Sequence, residues 1–384
     1  MTPAARLSAA IQILDRILAG APAEQALVNW ARASRFAGSG DRNAIRDLVF
    51  DALRCRRSFA ALGGGETGRG LVLGALRASG AAPETLFTGE GHAPPPLGPE
   101  DIGRAPQGLE IADIPDWLGK QLQADLGTNF AAITEAMRHR APVFLRVNLR
   151  RATLGQALAA LAEDAIEARP HPLSPTALEV TAGARKVASS RAYTEGLVEL
   201  QDAASQAVID ALPLADGMRV LDFCAGGGGK TLAMAGRARL ALFAHDAAPA
   251  RMRDLPARAK RAGAKVTVTE APKAPFDLVL TDVPCSGSGS WRRAPEGKWL
   301  LTADRLRSLV DIQAKILREA AALVRPGGWI GYATCSMLNI ENGAQIADFT
   351  SENPNWSCDF QRSLTPLDGG DGFFVALLRK SSKG

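Results

Sequence analysis

The stretch RVLDFCAGGGGKT, residues 219–231, constrains this chain more than any other. An apolar run that reads as a buried strand reaches Asp222, four consecutive glycines follow, and KTLAMAGRA continues with helical periodicity. Glycine weakens a regular element, so a run of four is expected where backbone must turn sharply and lie close to a ligand. A strand, a glycine turn and a helix open a parallel α/β sheet, and from residue 201 the alternation continues. LALFAHD, KVTVTE, FDLVLTDVP and WIGYATC read as further strands, PARMRDLPARAKRAG and a long stretch around 303–323 as helices, and GFFVALLRK as a last strand.

Two nucleotide readings of the turn fail on spacing. A phosphate-binding P-loop would need glycine at position 224, where Cys224 stands, and the dinucleotide pattern would need glycine at 231 or 232, where Thr231 and Leu232 stand. A turn that brings a ligand against backbone, with Asp246 at the end of the next strand to take two ribose hydroxyls, fits S-adenosylmethionine.

Two further strand ends carry reactive groups: Asp282-Val283-Pro284-Cys285-Ser286-Gly287 after the fourth strand, and Thr334-Cys335-Ser336 after the fifth. In an open α/β sheet the carboxyl ends of neighbouring strands face the ligand crevice, so Cys285, Cys335, Asp282 and the glycine turn are expected to converge. Cys55, Cys224 and Cys358 read as packing residues.

Composition sets the frame. At 384 residues the chain has room for two or three domains. Five widely spaced cysteines, an odd number with no C-x-x-C pair, argue against a disulfide framework or zinc knuckle and for a reducing, cytoplasmic compartment. The first 20 residues are broken by Asp15 and Arg16 and do not read as a signal core, and no apolar stretch reaches membrane-spanning length. The 45 Lys+Arg against 40 Asp+Glu leave a mild +5, which becomes informative through its distribution. Residues 30–57 hold seven arginines (Arg32, Arg35, Arg42, Arg46, Arg54, Arg56 and Arg57), residues 58–137 are net acidic, and residues 138–151 hold Arg138, Arg140, Arg146, Arg150 and Arg151 with no acid. That last group flanks the strand-like VFLRVN and is expected to bind phosphates.

The expected organisation is a helical domain over 1–62, a Gly/Pro-rich, loop-heavy linker over 63–112 with one short helical stretch near Leu71–Leu76, a small α+β subdomain over 113–199 and a catalytic domain over 200–384.

From PDWL onward the sequence resembles the RNA cytosine-5 methyltransferases of the bacterial Sun and eukaryotic nucleolar-protein type, through FLRVN, LQDAASQ, VLDFCAGGGGKT, FDLVLTDVPCSGSGSWRRAPEGKW, LVRPGG, YATCSMLNIEN and DGFFVALLRK. The helical N-terminus, with GDRNAIRDLVFDALR, looks like a shortened NusB-like RNA-binding domain. The resemblance implies a class I, Rossmann-like methyltransferase with S-adenosylmethionine as cofactor and RNA, most plausibly ribosomal, as partner. The cysteine spacing leaves no metal expected, and the chain is expected to act as a monomer. Carbon 5 of cytosine is a poor nucleophile, and a thiolate added at carbon 6 activates it. The resemblance gives that thiolate to Cys335, resolution of the adduct to Cys285, and contact with the base to Asp282. Asp222, Cys224, Ala225, Gly226, Gly227, Gly228, Lys230, Asp246, Arg251 and Asp282 match the cofactor-binding positions, Lys230 lying close to the substrate pocket, and Glu270 is the nearest match to an adenine-contacting acid. The family writes its turn C-A-A-P-G-G-K, whereas Gly226 and Gly227 stand here for Ala and Pro. The alternatives are a non-catalytic RNA-binding ribosome-assembly factor, opposed by the intact Cys285, Cys335, Asp282 and Lys230, and a DNA cytosine methyltransferase, opposed by the TCS motif.

Overall fold

The computed structural model describes residues 1–382. They form two compact units, one of residues 1–140 with 291–300, the other of residues 141–290 with the chain from 301 onward.

The first unit is helical: α1 (Pro3–Leu18), α2 (Ala23–Ala33), α3 (Ser39–Arg54), α4 (Arg56–Gly63), α5 (Gly68–Ala78), α6 (Asp116–Leu126) and α7 (Phe130–Met137). Thr2 accepts the Ala5 amide to start α1, with Pro3 at the first helical position, where its missing N–H is no loss. Ile13, Leu14, Ile45, Val49, Leu53, Leu71 and Leu73 form its core. The segment expected to be a linker therefore contributes to the bundle: α5 is three turns long, and Phe87 also reaches the core. The contact boundary falls after Arg140, so α6 and α7 lie with the helices.

In the second unit, β1 (Val143–Val147), α8 (Leu154–Glu163), β2 (Glu167–Pro170), β3 (Ala177–Ala182), α9 (Arg191–Thr194) and β4 (Val198–Leu200) make a small domain around an antiparallel sheet of order β2-β3-β1-β4. The chain continues through α10 (Ala203–Asp210), β5 (Arg219–Asp222), α11 (Gly229–Ala235), β6 (Ala241–Ala244), α12 (Leu255–Ala262), β7 (Thr267–Val268) and β8 (Phe276–Asp282). It then contributes α13 (Glu296–Leu300) to the helical unit and returns as α14 (Ala303–Leu323), β9 (Val324–Thr334), α15 (Gly343–Glu352), β10 (Trp356–Leu364) and β11 (Phe373–Lys380).

The seven-stranded sheet has the order β10-β11-β9-β8-β5-β6-β7, parallel from β9 to β7 and antiparallel at β10 and β11. From the central β5 the chain winds outward to β6 and β7, then crosses to β8 and β9. The switch point between β5 and β8 opens a crevice at the strands' carboxyl ends. Apolar layers cover both faces, with Leu278 and Leu280 on one side and Val279, Ile330 and Tyr332 on the other. Three expected strands shrink or grow: LALFAHD keeps only Ala241–Ala244, KVTVTE only Thr267–Val268, and the fifth extends backward through RPGG.

Candidate active site

Adjacent strands β5, β8 and β9 deliver their last residues to this crevice: Asp222, Asp282 and Thr334. Just beyond, Cys285 Sγ lies 3.3 Å from Cys335 Sγ. Lys230 Nζ, from the first turn of α11, donates to Asp282 Oδ2 at 2.8 Å and sits 4.9 Å above the ring of Phe373 at the start of β11. The catalytic quartet expected from the sequence is thus brought together, and Phe373 joins it. The two thiols differ in character. The bond from Cys285 holds Cys335 below the ordinary thiol range despite burial, with the Lys230 ammonium helping. Cys285, bonded to that developing thiolate and buried, is pushed well above the range. Of the two thiols, Cys335 is therefore the one more readily ionised.

Glu341 fixes this arrangement, and sequence reading assigned it no role. Its side chain, fully buried in the turn after the TCS motif, accepts the Ser286 amide and Gln313 Nε2 at Oε1, and the hydroxyls of Ser286 and Ser336 at Oε2. Ser286 follows Cys285 and Ser336 follows Cys335, so one carboxylate ties both cysteine loops together. Ser288 Oγ adds a link, 3.0 Å from Ser336 Oγ and accepting the Met337 amide at 2.8 Å. The residue types NIEN were visible in the motif; only the fold turns the acid inward.

On the other side of β5, the glycine turn needs its glycines: Gly226 and Gly228 have φ of +49° and +81°, and a Cβ on Gly228 would lie 2.2 Å from Leu255. Asp246, two residues beyond β6 and buried, accepts the amides of Gly226 and Ala248 at 2.9 Å each, with Arg251 Nη1 at 3.2 Å. Asp222 accepts the Thr231 hydroxyl at 2.6 Å through Oδ2, while its buried Oδ1 has no partner. Burial lifts the Asp222 pKa to about 7, so the pocket would gain from a cation. S-adenosylmethionine brings an ammonium and a sulfonium, and with the glycine cradle and Asp246 the residues present fit it. Cys224, beside Ala225, is pushed up by burial and stays a neutral thiol. Glu270 is exposed just after β7, and Gly227 belongs to the turn.

The arginines expected to bind RNA do not form one strip. Arg146 is buried, its Nη1 spent on Gln201 Oε1 at 2.6 Å and the Gly229 carbonyl at 2.8 Å. Burial lowers it to about 10, so it stays charged, but as an internal tie, which corrects its assignment to RNA. Arg150 gives Nε to the Gly263 carbonyl and Nη1 to that of Ala235, near the C-termini of α12 and α11. Arg138 and Arg140 belong to the helical unit, the first against Asp113 and the Ile111 carbonyl, the second against Asp47. Arg151 is exposed and makes one long contact, to the Lys260 carbonyl. Arg54 is likewise buried, bonded to the Arg292 carbonyl.

Among the described residues no group of three or more His, Cys, Asp or Glu could hold a metal, and no helix is long and apolar enough to cross a membrane. All five cysteines are free.

A switch-point crevice with a glycine cradle, a ribose-suited acid and paired cysteines defines a class I, S-adenosylmethionine-dependent methyltransferase architecture with a two-thiol centre. Residues 209–379 match the family model described as 16S rRNA methyltransferase RsmB/F, and residues 114–187 the ferredoxin-like domain of the same proteins. The chain belongs to this RsmB/F methyltransferase family. A ribosomal RNA small subunit methyltransferase B from Klebsiella pneumoniae is 35% identical over 286 residues, 69% of this chain, and one from Salmonella arizonae is 35% identical over 284. The chain spans 66% of the length of each of these relatives. Among solved structures, PH0851 aligns over 99% of both chains at 22% identity with a TM-score of 0.77. A methyltransferase homolog from Pyrococcus horikoshii aligns over 71% of this chain and 97% of its own, at 23% identity and a TM-score of 0.62. At these identities they establish a shared fold.

Proposed function

We propose that this chain methylates carbon 5 of a cytosine in small-subunit ribosomal RNA through a covalent adduct on Cys335, in the cytoplasm where ribosomes are assembled. The observation that carries the reading is the 3.3 Å approach of Cys335 and Cys285 beside the Lys230–Asp282 ion pair. The relatives' names, ribosomal RNA small subunit methyltransferase B, support the substrate class.

S-adenosylmethionine, when bound, supplies the methyl group. The protein's part begins with Cys335, whose thiolate adds to carbon 6 and moves the ring's electron pair onto carbon 5. Asp282 offers an acceptor and Lys230 a donor to the base's polar edge, and Phe373 contributes an apolar wall. Once carbon 5 is methylated, release requires loss of its proton and expulsion of Cys335. Cys285 is raised in the free protein chiefly by its bond to Cys335. Capture of Cys335 by the base removes that partner's charge, so the Cys285 pKa falls, its own proton passes to solvent, and the thiolate left behind takes the carbon 5 proton as the electron pair of that C–H bond expels Cys335. The target base must leave its helical stack, or lie in a single-stranded region, to reach two thiols and an acid in one pocket.

The test uses labelled S-adenosylmethionine and ribosomal RNA from a strain lacking the gene. Wild type should label cytosine carbon 5. Cys335→Ala should give neither product nor adduct, and Cys285→Ala should accumulate an adduct that survives a denaturing gel. Identical behaviour of the two variants would remove the division of roles, and absence of label with wild type would remove the activity.

A further inference from the structure

We propose that the small antiparallel domain clamps the cofactor turn: Arg146 on β1, and Arg258 on α12 anchored by Glu199 on β4, are positioning residues for S-adenosylmethionine. The inference rests on the cofactor assignment alone, independent of the RNA and of the position methylated.

Four glycines in a row have little reason to hold one shape, since each loses more backbone freedom on ordering than any other residue, about 0.5–1 kcal/mol relative to alanine. Here the Ala-Pro pair that would stiffen the turn in the family pattern is replaced by Gly226 and Gly227. The structure supplies outside support. The Gly226 amide donates to Asp246, the Gly227 carbonyl accepts from Arg258 Nη1, and the Gly229 carbonyl accepts from Arg146 Nη1. Charge-assisted bonds of this kind are stronger than neutral ones. Because the peptide unit is planar, fixing the carbonyls of Gly227 and Gly229 also fixes the amides of Gly228 and Lys230, and hence the start of the helix that carries Lys230 to Asp282.

Neither arginine stands alone. Gln201 holds Arg146 at 2.6 Å. Arg258 Nη2 donates to Glu199 Oε2 at 2.8 Å, and the other oxygen of Glu199 takes Arg261, whose guanidinium lies 4.5 Å from the centre of the Tyr193 ring. Glu199 is buried, and β4 pairs with β1 through Leu145↔Leu200, Arg146↔Glu199 and Val147↔Val198. Arg146 and Glu199 are thus direct cross-strand neighbours on one ladder; Arg146 donates directly to the Gly229 carbonyl, and Glu199 holds the Arg258 that donates to the Gly227 carbonyl. An arginine-rich strand that looked like an RNA contact is, at Arg146, a cofactor support.

The experiment measures binding of S-adenosylhomocysteine to the full chain by calorimetry, without RNA, beside thermal melting of each variant. Arg258 is partly exposed, so Arg258→Met should fold; it is expected to weaken binding about tenfold or more. Arg258→Lys, which keeps one donor for the Gly227 carbonyl, should recover part of the loss. Glu199→Gln should weaken binding, and combined with Arg258→Met it should add nothing, because it acts through that residue. Arg150→Met, in the same domain but bonded near helix C-termini, should lower the melting temperature and leave the affinity unchanged. Wild-type affinity in Arg258→Met, or equal weakening in Arg150→Met, overturns the clamp. Failure of wild type to bind removes the cofactor assignment itself, a different result from variants that bind as well as wild type.

Discussion

Asp222 shows how a single residue's surroundings report on its use. An acid whose folded pKa, about 7, lies above the unfolded value of about 3.9 holds its proton more tightly when folded. The stability present below about pH 4, where both states hold the proton, is lost progressively as pH rises from 4 to 7, and the loss levels off above 7. Asp222→Asn keeps an acceptor for Thr231 and removes the titration. It should therefore be more stable than wild type at pH 8, by on the order of 4 kcal/mol, with the difference vanishing towards pH 4, as urea unfolding at the two pH values would measure. At this scale the sequence was most legible where chemistry sits at strand ends. Cys285, Cys335 and Asp282 could be placed because alternation locates the carboxyl ends of strands, whereas Lys230, in the helix after the glycine turn, came only with the family resemblance. Glu341 could not, because an acid in a polar turn reads as solvent-facing until packing buries it. Arg146 misled for the complementary reason: charge in a sequence says nothing about whether the guanidinium faces out or is spent on a carbonyl.

Among the elements, α5 carries the clearest lesson. Its GRGLVLG start reads as loop because glycine is a poor helix former, yet these glycines let α4 and α5 pack backbone against backbone. A Cβ on Gly74 would lie 2.0 Å from the Phe59 carbonyl oxygen, and one on Gly63 1.7 Å from that of Gly70. Propensity favours Gly74→Ala by about 1 kcal/mol, but the clash should reverse the sign, so this variant is expected to melt below wild type. A rise in melting temperature would mean that the helices separate without cost. The unanticipated strands share a different cause. β10 is exposed along seven of its nine residues, three of the four residues of β2 are exposed, and β4 has only three residues. None has a buried face long enough to write a period of two into the sequence, and each exists because a neighbour offers it hydrogen bonds.

For the whole molecule, net charge translates into RNA affinity only through the arginines left free to meet phosphate. Arg146 is internal, Arg150 has two donors committed to carbonyls, and Arg138 faces Asp113. Plotting log affinity for ribosomal RNA against log salt should therefore give the same slope for Arg150→Gln as for wild type. A true phosphate contact would reduce the slope by about one.

The course of the chain has a consequence for how the protein is made. The last carbonyls of α3 are met from far along the sequence: Leu53 by Trp299 Nε1 at 2.7 Å and Arg54 by Lys298 Nζ at 3.0 Å, the latter 244 residues away. During synthesis the helices up to residue 140 emerge first, but their end-cap is still untranslated. At about 5–20 residues per second, the roughly 160 residues in between delay it by on the order of ten seconds or more. The helical bundle therefore emerges long before it can be completed, and its closure waits on passage through the cysteine loop that immediately precedes its missing piece.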